Sequence, residues 1–240
     1  MDRPQKLTGW AQGLFETSST KKEALGALRI TEDGRKFRYA LSGEALAAGM
    51  NGLTADGVAN HVKQTGDAIA KGVTKVSLVV GATAVTENQY RDGYLQIYDG
   101  AAGTVGYQYR IRSNTACDAS GTTVLELEDP IQVAVISTDT WSLIVNPFSS
   151  ITQQASLAHG LGGIVPLTVA SGKYFWMQTG GLACALNGGN STLGAGLVQS
   201  ATEGALKTQP DGALDAAPAG HVCGFAGVDT KYCPVWLQID

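Results

Sequence analysis

From Leu28 onward apolar and polar positions alternate. Leu28 and Ile30, then Phe37, Tyr39 and Leu41, read as one apolar face on either side of a Glu32-Asp33-Gly34 turn, which predicts a hairpin. Arg29, Lys36 and Arg38 fall on its other face, a basic stripe that suits an acidic protein surface, a nucleic acid or plain solvent. The residues before this hairpin have no period. Residues 1–23 are mixed and polar, with Trp10 and Phe15 as isolated large apolar groups, and they predict an extended arm that needs a partner surface to bury its aromatics. Residues 43–62 are rich in Ala and Gly and predict a short helical turn and a long connection, which completes a segment spanning 24–62.

The middle of the chain, residues 63–148, predicts a central antiparallel β unit. Val76, Leu78 and Val80 alternate with Lys75 and Ser77. Thr86-Glu87-Asn88-Gln89 has the form of a capping box and predicts one short helical turn before a strand from Tyr94 to Tyr98. Val105, Tyr107, Tyr109 and Ile111 share one face of the next strand, and Gln108, Arg110 and Arg112 share the other. If the following strand pairs symmetrically about Ala119, Arg110 faces Glu128 and Arg112 faces Glu126 in a cross-strand charge ladder.

A polar link at Ser149-Ser150-Ile151-Thr152-Gln153-Gln154 predicts the boundary to a last unit, residues 149–240. Its candidate strands are 164–169, 174–178, 182–186, 198–201, 221–225 and 232–239, joined by Gly-rich turns such as Asn187-Gly188-Gly189. The expected fold class is mainly β: an N-terminal arm and hairpin, a central antiparallel unit and a C-terminal small β-barrel or sandwich. No repeat of fixed period stands out.

Composition sharpens this picture. Charged residues make up 16% of the 240, against about 25% in typical soluble domains. From Trp141 to Thr202 the only charged residue is Lys173, while residues 1–75 hold 11 of the 17 Lys and Arg. A net charge of −4 argues against a specific nucleic-acid binder, because phosphate contacts need a strong basic field. Apolar runs such as Leu182–Leu186 fall far short of the roughly 18 residues of a membrane span. The opening Met1-Asp2-Arg3-Pro4-Gln5-Lys6 lacks the apolar core of a signal peptide, so synthesis in a cytoplasm is expected, with no membrane partner.

Candidate chemistry is sparse. Cys117, Cys184, Cys223 and Cys233 have no C-x-x-C pairing, so no metal site is expected. Cys223 and Cys233 flank an apparent hairpin at Gly227-Val228-Asp229-Thr230, where either a cross-strand bridge or two buried thiols would fit. His61, His159 and His221 stand apart, and Glu126, Glu128 and Asp129 are explained by the ladder. No phosphate loop or nucleophile elbow occurs. An enzyme is not expected, nor is a cofactor. The aromatics Trp141, Phe148, Tyr174, Phe175, Trp176 and Trp236 fit a core, an interface or a sugar platform.

The stretch Val80-Gly81-Ala82-Thr83-Ala84-Val85-Thr86, with Gln89-Tyr90, Asp92-Gly93-Tyr94-Leu95, Tyr98-Asp99-Gly100 and Gly106-Tyr107-Gln108-Tyr109-Arg110-Ile111, resembles structural proteins of tailed bacteriophages. Asp33-Gly34-Arg35-Lys36-Phe37-Arg38-Tyr39-Ala40, Leu127-Glu128-Asp129-Pro130 and the layout from Gly162 to Ile239 look like the same family, so the resemblance spans roughly residues 24–239. It implies a head decoration (cement) protein on the outer surface of the virion. The expected partners are the major capsid protein and neighbouring copies of itself in a homotrimer, with capsid contacts at Trp10, Phe15, Arg29, Lys36 and Arg38. The alternative is a receptor- or glycan-binding virion module that uses exposed aromatics.

Overall fold

In chain order the strands are β1 (Leu28–Ile30), β2 (Lys36–Leu41), β3 (Asn51–Leu53), β4 (Lys75–Val79), β5 (Tyr94–Asp99), β6 (Gln108–Asn114) and β7 (Thr122–Leu127). They continue with β8 (Thr140–Ile144), β9 (Leu161–Ile164), β10 (Tyr174–Leu186), β11 (Gly196–Gln199), β12 (Leu206–Thr208), β13 (Pro218–Val222) and β14 (Tyr232–Gln238). These come from a computed structural model that describes residues 9–100, 103, 105–153, 160–210 and 218–240. The fold is mainly β, with two antiparallel sheets, as the alternation predicts.

The chain divides into two compact units: Met1–Thr54 with Phe148–Asp240, and Ala55–Pro147. This differs from the division read along the sequence, where the hairpin stood apart from the C-terminal part. β2 pairs with β10 from Tyr174↔Leu41 to Gly180↔Lys36, so the hairpin forms one side of the C-terminal sheet. β3 pairs with β9. The boundary expected at the polar link falls between Pro147 and Phe148, and the link itself belongs to the first unit, where Ile151 is fully buried and bridges Ser42, while Thr152 bridges Leu53. Local alternation reports strands, but not which distant strand they will meet. The expected helical turn and connection at 43–62 hold β3 and a single 3-10 turn, Ala59–His61.

The first unit's nine-stranded sheet runs β1-β2-β10-β14-β13-β11-β12, with β9 and β3 branching from β10. It ends at β1 and β12 without closing into a barrel. The second unit's sheet runs β4-β7-β6-β5-β8 over one core that includes Leu78, Tyr90, Leu95, Ile111, Leu125 and Trp141.

Register corrects the first hairpin. Leu28 lies opposite Arg38 and Ile30 opposite Lys36, so these apolar residues share a face with the basic ones. Five residues separate Ile30 from Lys36, and that odd loop pairs even positions with even. Phe37 and Tyr39 are fully buried, while Leu28 and Ile30 are exposed. A one-residue change of register always exchanges the two faces in this way.

One local device recurs through both units. Isolated bridges join Leu46 to Val169, Ile69 to Val135, Val85 to Cys117 and Ser191 to Gly227, and a tight turn leads from each of these residues toward a strand. The residue three positions after the bridge has positive φ in Gly49, Gly72, Asn88, Ser120, Gly172, Gly194 and Thr230, Thr138 being the exception. Glycine or a short polar side chain is the usual solution for this left-handed conformation. Within the Val85 turn the Thr86 N–H donates to Gln89 Oε1 at 2.9 Å, so the capping-box contact forms in a turn rather than a helix.

Candidate functional site

The N-terminal segment does not wait for a partner. From Gly9 its described residues pack on the chain's own sheet, while residues 1–8 lie outside the described residues. Trp10 meets the buried Trp176 edge-on at 5.0 Å between ring centroids. Gln12 is buried and ties three strand residues together. Its side chain accepts from Tyr39 Oη at 2.7 Å and donates to the Tyr174 carbonyl at 3.0 Å, while its own carbonyl accepts from Trp176 Nε1 at 3.2 Å. Ser18 adds a backbone bridge to Tyr174. Burial raises the pKa of the Tyr39 phenol, which keeps it a hydrogen-bond donor. The sequence missed this closure because its anchor, Gln12, carries no periodic signal.

The five residues named as capsid contacts are therefore placed differently from one another. Trp10 serves the core, and Arg29 sits over the Trp176 ring at 5.5 Å with its guanidinium donating to the Gln12 carbonyl at 3.1 Å. Desolvation lowers the Arg29 pKa, opposed by nearby Glu23. Arg38 forms a two-point contact to Asp240, with Nε at 2.6 Å from Oδ2 and Nη2 at 2.9 Å from Oδ1, and Lys36 Nζ donates to the Asp240 carbonyl at 3.0 Å. The Arg38 hydrogen bond, helped by Thr179, holds the Asp240 carboxyl below the usual range. Phe15 alone of the five presents most of its side chain to solvent.

The charge ladder forms in part. Arg110 Nε lies 3.6 Å from Glu128 Oε1, as the symmetric pairing predicts, and Arg110 also reaches Asp92 at 3.5 Å. A register shift between Ile111 and Ser113 makes Arg112 the extra residue of a bulge, so Glu126 faces Ser113 instead and accepts from its hydroxyl at 3.2 Å. On its other side Glu126 stands opposite Lys75. These carboxylates are engaged by their own sheet. His61 is fully buried, with Nδ1 against Tyr90 Oη and Nε2 at 2.8 Å from the Thr83 carbonyl. Burial pushes the Tyr90 phenol well above its ordinary pKa. His159 lies outside the described residues. Among the described residues, no group of three or more His, Cys, Asp or Glu is placed to hold a metal ion.

Cys223 and Cys233 do not bridge. The pairing Val222↔Val235 puts Cys223 opposite Pro234 rather than Cys233, and Cys233 is buried, paired with Ala185 on the inner face. All four thiols are free, and burial raises the Cys233 pKa.

Of the aromatics, Trp141, Phe175 and Trp176 are fully buried, which removes them as a sugar platform. Trp236 is exposed, and it belongs to the most unusual surface of the first unit. The outward positions of β10 are Leu182, Cys184 and Leu186, those of β14 are Tyr232, Pro234, Trp236 and Gln238, and His221 and Cys223 adjoin them on the β13 side. Leu182 pairs with Trp236, Cys184 with Pro234 and Leu186 with Tyr232, so their side chains stand in rows on one face. An antiparallel sheet with one solvated face ordinarily alternates apolar-in with polar-out. The rows from Leu182 to Leu186 and from Tyr232 to Gln238 contain no Asp, Glu, Lys or Arg, and cations stand at their edge, Lys36 opposite Gly180 and Arg35 in the lining of the larger of two hollows. These adjoining hollows notch the face. One, of about 400 Å³, is lined by Phe15, Arg35, Pro166, Leu182, Cys184 and Tyr232 among others, and the second, of about 320 Å³, by Leu182, Cys184, Phe225, Tyr232 and Pro234 among others.

Compared with known proteins, the chain matches no family model, no curated protein and no solved structure.

Proposed function

We propose that this chain is a structural protein of a tailed-bacteriophage virion, a cement protein that coats the outer surface of the assembled major capsid shell and stabilises it. The observation that carries the reading is the outward face of β10, β14 and β13, whose rows hold no charged residue and suit contact between neighbouring copies in a coat rather than contact with water. Surface without charged groups loses little hydration free energy on contact, and a protein that binds only the assembled shell, in many copies, stabilises it by mass action. The resemblance of residues 24–239 to phage structural proteins supplies the shell as the partner. In this reading the protein has no catalytic role and no cofactor, and Phe15 is its most accessible arm contact. Purified protein added to undecorated shells and imaged by electron microscopy is expected to cover the lattice. Bare shells at micromolar protein would overturn the proposal.

A second reading, a glycan- or receptor-binding virion module, is favoured by the exposed aromatics Phe225, Tyr232 and Trp236. Its expected outcome is retention on host surface polysaccharide that Trp236→Ala abolishes with the fold intact. Absence of retention by the unmodified protein removes it.

A further inference from the structure

We infer that the outward face of β10 and β14 is the contact surface for a second copy of this chain, so that the protein self-associates through it. The inference concerns the first unit alone and stands whether or not the protein coats a shell. Three observations commit the face to a copy of itself.

The first is area. Phe15, Leu182, Phe225, Tyr232 and Trp236 are each between 45% and 63% exposed. At roughly 150 to 250 Å² for an aromatic side chain, they present together about 500 Å² of apolar surface. A stable interface buries about 800 Å² per partner, and about 65% of that is apolar when the partners are identical, so the apolar need is about 500 Å². One such face meets the requirement of a homomeric contact.

The second is shape. A contact between identical copies needs projections and recesses on the same patch, because each copy supplies both. The half-exposed Trp236 stands beside Leu182, which lines both hollows, and Phe15 and Phe225 rise at their margins. Volumes of about 400 and 320 Å³ are large enough to receive an aromatic side chain.

The third is charge. Partners of different sequence are selected and oriented by complementary charges, and like charges reject wrong ones. The rows from Leu182 to Leu186 and from Tyr232 to Gln238 carry no charge, and Arg35, in the lining of the larger hollow, is the single cation among the residues that line the two hollows. The rows have the composition of a core cut in half, which is the character of interfaces between identical subunits.

Sedimentation velocity of the full chain, from about 1 to 100 micromolar, is the test. The unmodified protein is expected to sediment as a self-associated species that dissociates on dilution. Leu182→Asp and Trp236→Glu, each placing a charge at the centre of the face, should weaken association at least about tenfold, while Val79→Glu on the exposed side of β4 leaves it unchanged. Near-ultraviolet circular dichroism reports whether each variant keeps its packing. For the unmodified protein, alkylation of the exposed Cys184 should slow as concentration rises, a readout that needs no variant. A monomer at every concentration, or association that survives both charged substitutions in folded protein, overturns the inference. A monomer that still coats shells overturns this inference alone. An associated protein that leaves shells bare overturns the proposed function alone.

Discussion

The two sheets treat their outward faces in opposite ways. In the second unit, exposed positions of β4, β6 and β7 include Lys75, Gln108, Arg112, Thr122 and Glu126, and Arg110 pairs with Glu128 across the ladder. That face is dressed for water. In the first unit the same alternation places Leu182, Cys184, Tyr232, Pro234 and Trp236 outward. Both sheets bury their inner faces equally well, with Leu78 and Leu125 in one and Ala185 and Val235 in the other almost fully enclosed. Inner faces therefore account for folding, and the outward difference points to what the first unit is meant to touch. Part of its apolar surface is already covered: Trp10 and Gln12 close over Trp176 and Tyr39. Where the chain supplies its own cover, an aromatic becomes core.

The largest expected effect separates covered from uncovered aromatics on neighbouring strands. Trp176→Ala should cost about 3 to 5 kcal/mol in denaturant unfolding, since it empties a fully buried site and strips Trp10, Tyr39 and Arg29 of their contact. Trp236→Ala, at an exposed position, should shift monomer stability by only about 0.5 kcal/mol. Equal losses would erase the distinction between interior and reserved surface.

Gln12→Ala comes next. It leaves Tyr39 Oη and the Tyr174 carbonyl without their side-chain partner, and about 1 to 3 kcal/mol should be lost in the same assay. An unchanged midpoint would return the segment to the status of a loose arm.

A smaller effect depends on pH. The folded Asp240 carboxyl has a lowered pKa, so it contributes stability above its unfolded pKa, near about 4, and loses it as pH falls through the folded value. Asp240→Asn should lower the melting temperature at neutral pH and flatten the decline between neutrality and about pH 3. Parallel melting curves for the two proteins across that range would rule out the Arg38 contact as a contributor.

The smallest effect belongs to the charged sheet. Glu128→Ala removes an ion pair whose partners are each more than a third exposed, and should cost about 0 to 1 kcal/mol, fading as salt is raised. A loss several times larger would mean that the second unit's outward charges hold its fold together rather than solvate it.

Much of this was legible along the chain. Val76 and Leu78 in β4, Leu95 and Ile97 in β5, and Val235 and Leu237 in β14 announced their strands by period-two alternation, and the near-absence of charge from Trp141 to Thr202 marked part of the chain that holds the uncharged face. What could not be read was non-local or set by single residues. Nothing near Tyr39 says that it will pair with Trp176. The bulge that displaces Arg112 and the odd loop that turns Leu28 outward each hinge on one residue, and a count of alternation averages over such details. The recurrent turn stayed hidden because its spacing varies and its positive-φ position is filled by Gly, Asn, Ser or Thr. Outwardness was hidden as well, since Trp176 and Trp236 look alike until the segment that covers one of them is in place.

Hydroxyl-radical footprinting of the full chain over a concentration series tests the central claim most directly. Phe225, Tyr232 and Trp236, on the uncharged face, should be increasingly protected as concentration rises, while Tyr98, exposed on the second unit, is labelled at a constant rate. Labelling of all four that is independent of concentration would contradict the claim that the first unit's outward face is a surface for protein contact.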